Sequence, residues 1–176
     1  TELCMSQPET QEIFAKSVVD YAENHQNCLY LHVGLADAVR NHCECEECRK
    51  LHPSDFLIMM MNELDEELTR MGDTTTKIAL STYVDMMFPP IREKIKNPDR
   101  FSLSFCPISR NYLTSITEDT VLPETKPYIR NAWESPRTTE ECFAYYKEWK
   151  KVFFGTCTTF EYHYWKPQFR DPGMMA

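Results

Sequence analysis

Glycine is scarce in this chain, with 4 in 176 residues. No glycine-rich phosphate loop is present, so nucleotide binding finds no support. Long apolar runs are also lacking: the longest, from Phe56 to Met61, has six residues, against the ~20 that a membrane-spanning helix needs. Positive charge is in deficit. Lys plus Arg number 19 against 27 Asp plus Glu, a net charge of −8, and an acidic chain has no general attraction to nucleic acid or anionic lipid. An initiating Met is lacking too. The chain opens at Thr1 with no recognisable signal sequence, and a piece of a longer protein is the expectation.

What is there describes a globular domain. Apolar residues make up 42% and aromatics 12%, with ten Phe, nine Tyr and three Trp, enough to bury a core and escape disorder. Proline, at 11 residues, shapes the loops. The domain is expected over residues 1–165, with an irregular tail over 166–176.

Periodicity and punctuation predict alternating elements. A helix runs over 8–25, opened by Pro8 and carrying Ile13, Val18, Tyr21 and Ala22 on one face. The run 28–34 reads as a parallel strand covered on both faces. A polar loop over 35–53 leads to the clearest helix, 55–71, with Phe56, Met60, Leu64 and Leu68 on one stripe and Gly72 as its stop. Strands follow at 77–83, 101–105 and 156–162, with a short helix at 91–96 and a longer one at 140–153. Such alternation predicts an α/β fold with a parallel sheet and right-handed crossovers. Four strands are half of an eight-stranded barrel, which takes ~250 residues. The expected architecture is therefore part of a TIM-like (β/α)8 barrel, with the remainder of the barrel or a second copy as partner to its open edges.

In parallel α/β folds, sites form at the carboxyl ends of strands. The residues after each strand include Asp37 and Asn41, then Tyr83 and Asp85, then Cys106, Arg110, Asn111 and Tyr112, then Glu161, His163, Tyr164 and Trp165. Asp37 and Glu161 are two carboxyls that can converge as the acid/base or nucleophile pair of glycoside hydrolysis. Tyr83, Arg110, Asn111, Tyr164 and Trp165 are the candidate substrate contacts, by ring stacking and hydrogen bonding.

The tightest local motif is Cys43-Glu-Cys45-Glu-Glu-Cys48. Thiolates at this C-x-C-x2-C spacing can converge on a soft ion, with Zn²⁺ the best fit. A fourth ligand is needed, and Cys4, Cys106, His42 and His52 are the candidates. The alternatives are iron–sulfur ligation, which this spacing fits less well, and a reduced or disulfide-linked loop with no metal. Eight cysteines without the layout of a small disulfide scaffold favour reduced thiols, and with them a cytoplasmic setting.

In order, the stretch from Leu3 to Glu9, the Asp37 strand with Cys43, Cys45 and Cys48, the run from Ala79 to Tyr83 with Pro89-Pro90, Phe105-Cys106-Pro107 with Arg110, and Phe160-Glu161-Tyr162 resemble the bacterial domain of unknown function family 4838. That family is similar to carbohydrate-active (β/α)8 barrels, including alpha-glucuronidase-like glycoside hydrolases. The resemblance implies a glycoside-hydrolase-like barrel domain with a glycan as ligand and Asp37 and Glu161 at its acidic positions. A non-catalytic sugar-binding or scaffold domain, or a metal-binding domain centred on the cysteines, is the alternative.

Overall fold

The computed structural model describes residues 3–162 apart from 26, 38 and 109. Helix α1 (Pro8–Asn24) comes first, then strand β1 (Tyr30–Val33), a short helix α2 (Glu46–Arg49) and the long helix α3 (Pro53–Arg70). Strands β2 (Lys77–Thr82) and β3 (Phe101–Phe105), helix α4 (Thr139–Val152) and strand β4 (Thr156–Thr159) complete the order. The four strands form one parallel sheet in the order β1-β2-β3-β4. The expected alternating α/β fold with a parallel sheet is present. Among the described residues the sheet is open, with β1 and β4 as its edges. No described helix is long and apolar enough to cross a membrane.

Each boundary has a local cause. Pro8 occupies the first turn of α1, where its missing N–H is not needed. α3 starts at Pro53, two residues earlier than Ser54 as N-cap would place it. His52 is its N-cap, and Asp55 closes a capping box on the His52 backbone N–H. Gly72 follows α3 with φ +87°, the left-handed stop that suits glycine. Thr138 caps α4 by accepting from Glu141 N–H at 3.1 Å.

Helix α3 forms the floor of the sheet. Leu57, Ile58, Met60, Met61, Leu64 and Leu68 are buried with Ile78, Leu80, Phe101, Leu103, Trp149 and Phe153 in one core cluster. The stripe of Phe56, Met60, Leu64 and Leu68 is buried as expected. α1 packs on α3 through Ala15, Val19 and Ala22. Ile13 and Tyr21, expected on that face, are instead 65% and 52% exposed. The burial of β1 alternates: Leu31 and Val33 point inward, Tyr30 and His32 outward. This corrects the expectation of a strand covered on both faces. With one face packed on the helices and the other left uncovered, β1 needs only every second residue apolar.

The helix expected at 91–96 does not form; that segment is irregular, and 3₁₀ turns stand at Val84–Met87 and Pro98–Arg100. The reason lies in α3. The fully buried Asp55 carboxylate accepts from the backbone N–H groups of His52 (3.0 Å), Ile91 (3.1 Å), Arg92 (2.8 Å) and Glu93 (2.9 Å). Asn62 accepts from Lys96 N–H at 2.9 Å and donates to Lys94 O at 2.9 Å. Asp65 pairs with the buried Arg100. Backbone donors that a helix would leave to its own turns are thus claimed by side chains of a neighbouring element.

Replacing Asp55 by Ala strands several buried N–H groups at once, each costing about 1–3 kcal/mol. Asp55→Ala is expected to lower the urea midpoint strongly with an unchanged denaturant slope, and Asp55→Asn, which keeps an acceptor, to lower it less. An equal midpoint for Asp55→Ala and wild type would contradict this role.

Candidate functional site

The parallel register brings the carboxyl ends of all four strands to one side of the sheet. Gly34, Leu35, Ala36 and Asp37 follow β1, Tyr83 to Met86 follow β2, Cys106 follows β3, and Phe160 and Tyr162 follow β4. Together with His32, His42, Ser81 and Ile108 they line a cavity of about 410 Å³. That lies within the usual range of small-molecule sites, about 300–1,000 Å³.

Backbone strain shapes this cavity. Val84 has φ 48°, an outlier for a β-branched side chain and a cost of about 1–3 kcal/mol. The turn it begins is held by Trp149 Nε1–H, which donates to Met86 O at 3.0 Å from α4. The next residue, Asp85, is wholly buried, and neither of its carboxylate oxygens has a hydrogen-bond partner. His42 Nε2 stands 3.5 Å from Asp85 Oδ2. Burial, then the charge of the neighbouring Asp37, push the Tyr83 phenol up. Burial likewise raises Tyr162, and takes the Cys106 thiol up to about 11. The Tyr83 and Tyr162 rings lie 6.5 Å apart at 23°.

Asp37 and Tyr83 are therefore brought together in the cavity, but Glu161 is not among its lining residues. Glu161 accepts from Arg110 Nη1–H at 2.7 Å and from Tyr112 O–H at 2.6 Å. Tyr112 O in turn accepts from Tyr162 N–H at 2.7 Å. Burial and the hydrogen bond to Glu161 raise the Tyr112 phenol well above its ordinary value. This knot ties the residues after β4 to the loop after β3. Asn111 is exposed; its N–H donates to Thr139 Oγ1 and its Oδ1 accepts from Leu113 N–H, so it shapes a turn in the loop after β3 and ties that loop to the start of α4. The expected contacts Tyr164 and Trp165 lie outside the described residues.

The cysteines converge. The sulfur atoms of Cys4, Cys43, Cys45 and Cys48 all lie within 4.8 Å of one another, in an arrangement able to hold a metal ion. Cys4 Sγ is 3.7 Å from the sulfurs of both Cys45 and Cys48. Tetrahedral Zn²⁺ with Zn–S bonds of about 2.3 Å spaces its sulfurs by about 3.8 Å. Of the four candidates for the fourth ligand, only Cys4 joins the cluster. His42 turns to Asp85, His52 bonds Pro89 O through Nδ1, and Cys106 lines the cavity. Short helix α2 creates the geometry: Cys45 is its N-cap, and its sulfur accepts from Cys48 N–H at 3.4 Å. That bond, with Ser6, lowers the Cys45 thiol to about 6, while burial raises Cys48 to about 12. Apolar Leu51 and Phe56 back the group. The Arg130 guanidinium bonds the carbonyls of Cys43, Cys48 and Leu51, bringing a positive charge against a group that becomes anionic as it loses protons.

Residues 1–152 match the family model Domain of unknown function (DUF4838). The chain belongs to this family. The match takes in the whole cysteine group, Asp37, Tyr83 and Asp85, and ends before β4 and Glu161. No curated protein matches the chain, and no solved structure does. Membership in DUF4838 assigns no activity by itself.

Sequence reasoning left Asp85 without a role and Arg130 unnoticed. Asp85 was reachable, because it lies just past the carboxyl end of β2. Nothing in the local sequence points from Arg130 to carbonyls some 80 residues earlier.

Proposed function

We propose that this DUF4838 domain binds or cleaves a glycan in the cavity at the carboxyl ends of its strands. The observation that carries the reading is the content of that cavity: a carboxylate, Asp37, near enough to Tyr83 for its charge to act on the phenol, beside the stacked rings of Tyr83 and Tyr162 and the edge-on ring of Phe160. Sugar rings present apolar faces to aromatic side chains and hydroxyls to polar ones. In the hydrolytic form of the proposal, Asp37 and Glu161 are the two carboxyls of glycosidic cleavage, with Arg110 and Tyr112 orienting Glu161. Tyr83 and Asn111, with Tyr164 and Trp165, contribute substrate contacts. One observation favours a second form, binding without turnover: the Glu161 oxygens are already engaged by Arg110 and Tyr112, away from the cavity lining.

Oligosaccharide turnover by the full-length protein separates the two forms. Under hydrolysis, Asp37→Asn and Glu161→Gln each lower kcat by about 10²-fold or more with little change in binding, the usual scale of acid–base catalysis. Under binding alone, no turnover occurs in the wild type, and only Asp37→Asn weakens sugar affinity. No affinity for any oligosaccharide would end both.

We further propose that Zn²⁺ occupies the four thiols and braces the loop that carries Asp37 and His42. Four converging sulfurs, a closed coordination set and the lack of an open position support a structural rather than a catalytic ion. In reduced, chelator-treated protein, iodoacetamide should label Cys45 first, because its thiolate forms above about 6. The labelling rate should rise with pH through that midpoint, and Cys48 should stay unreacted. One equivalent of Zn²⁺ should protect the group, and elemental analysis should find one ion per chain. Unprotected thiols with no bound metal would refute the site.

The sequential parallel order supports an arc of a larger (β/α) barrel, completed by flanking sequence or by a second copy. β1 leaves an open edge beside the exposed Leu29 and Tyr30. The isolated chain should then self-associate above its 20.8 kDa monomer mass in sedimentation, and Tyr30→Lys should return it to a monomer. A monomeric wild type at high concentration would count against an exposed pairing edge.

A further inference from the structure

The cavity carries a charge pattern that sugar binding in general does not require. Its described lining holds two aspartates, Asp37 and Asp85, and two histidines, His32 and His42, with no lysine or arginine. Arg110 is paired with Glu161 and is not among the described lining residues. Buried polar groups in folded proteins are almost always hydrogen-bonded. Asp85 departs from this: it is fully buried, neither carboxylate oxygen has a hydrogen-bond partner, and His42 Nε2 stands 3.5 Å from Oδ2. It is held in place by the strained Val84, at φ 48°. A buried carboxylate without a hydrogen bond, fixed by strain against a ligand-sized cavity and faced by His42 at 3.5 Å, is an arrangement that further opposite charge in the cavity would relieve.

We infer that the glycan taken here carries a protonated amine, as a sugar with a free ammonium group does. The inference rests on the glycan reading of the same cavity and adds the substrate class to it. Asp37 is exposed at the mouth and meets the ammonium directly. Asp85, whose oxygens are closed to solvent, acts from beneath through its field, which is strong where water is excluded. The faces of Tyr83 and Tyr162 attract a cation further. Both phenols are raised by burial and keep their protons, so neither adds a competing charge. A uronate would instead meet two like charges, a strong bar to binding. A divalent metal is disfavoured as the cation, because among the described residues only the four thiols bring metal-ligating atoms together.

Isothermal titration of the protein, at a mildly acidic pH where sugar amines are protonated, tests the inference with three oligosaccharides of equal length: glucosamine, N-acetylglucosamine and glucuronate oligomers. The free-amine oligomer is expected to bind about tenfold tighter than its N-acetylated counterpart, or better, and the glucuronate oligomer weakest. High salt should narrow the gap. Asp37→Asn should weaken the free-amine oligomer by a larger factor than the N-acetylated one, so that most of the amine advantage is lost. Asp85→Asn should reduce it in the same direction. Equal or tighter binding of the N-acetylated or glucuronate oligomer overturns the amine inference and leaves the glycan reading standing. If none of the three binds, the glycan reading fails and this inference with it.

Discussion

The structure depends on helix α3 being buried on nearly every side. Its apolar residues form the floor of the parallel sheet, and α1 packs on it as well. A helix so enclosed must satisfy its polar residues internally. Asp55, Asn62 and Asp65 do so by binding the connection between β2 and β3, through the backbone of residues 91–96 and the side chains of Asn97 and Arg100. The same bonds that make the burial of α3 tolerable therefore also fix where β3 begins. Arg100 extends the network to Thr76 O and Asp73 O, at the entry to β2. Two strands of the sheet are positioned by one set of polar contacts along one helix.

At the opposite end of the strands the loops are held by each other. Asn131, at φ 58°, exchanges two hydrogen bonds with the His42 backbone and reaches Glu44, while Arg130 closes on the carbonyls around α2. The long segment after β3 thereby clasps the cysteine loop after β1. Cys4 adds a third strand of chain to the same knot, from the approach to α1. A metal at the four sulfurs would tie two of these segments together, the approach to α1 and the loop after β1, and the rim of the cavity would stiffen with them. Cysteine cluster and cavity are in this sense one unit, joined through the loop from Asp37 to Cys48.

Much of this was legible in the chain. The α3 stripe, the alternation of elements and the Cys43, Cys45 and Cys48 spacing are local patterns, so they survive without knowledge of the fold. Errors came where a distant residue overrode a local preference. Residues 91–96 resemble a helix in isolation, but Asp55 and Asn62 take their backbone groups. The run 28–34 resembles a buried strand, but one face of β1 has nothing packed over it, which leaves Tyr30 and His32 uncovered. Glu161 and Asp37 both follow strands, yet Arg110 and Tyr112 draw Glu161 away from the cavity that Asp37 lines.

By itself the sequence determined which segments are strands and helices, that the strands run parallel, and that three thiols crowd into six positions, because periodicity and spacing act over a few residues. Only the tertiary structure decided that Cys4 is the fourth sulfur, 3.7 Å from two of the others. It likewise decided that His42 leaves the cysteines to face Asp85, and that Asp85 is sealed in without a hydrogen bond. Those outcomes follow from which chain ends the sheet register brings together. Register is set by the packing of whole strands on α3, which no short stretch of sequence encodes.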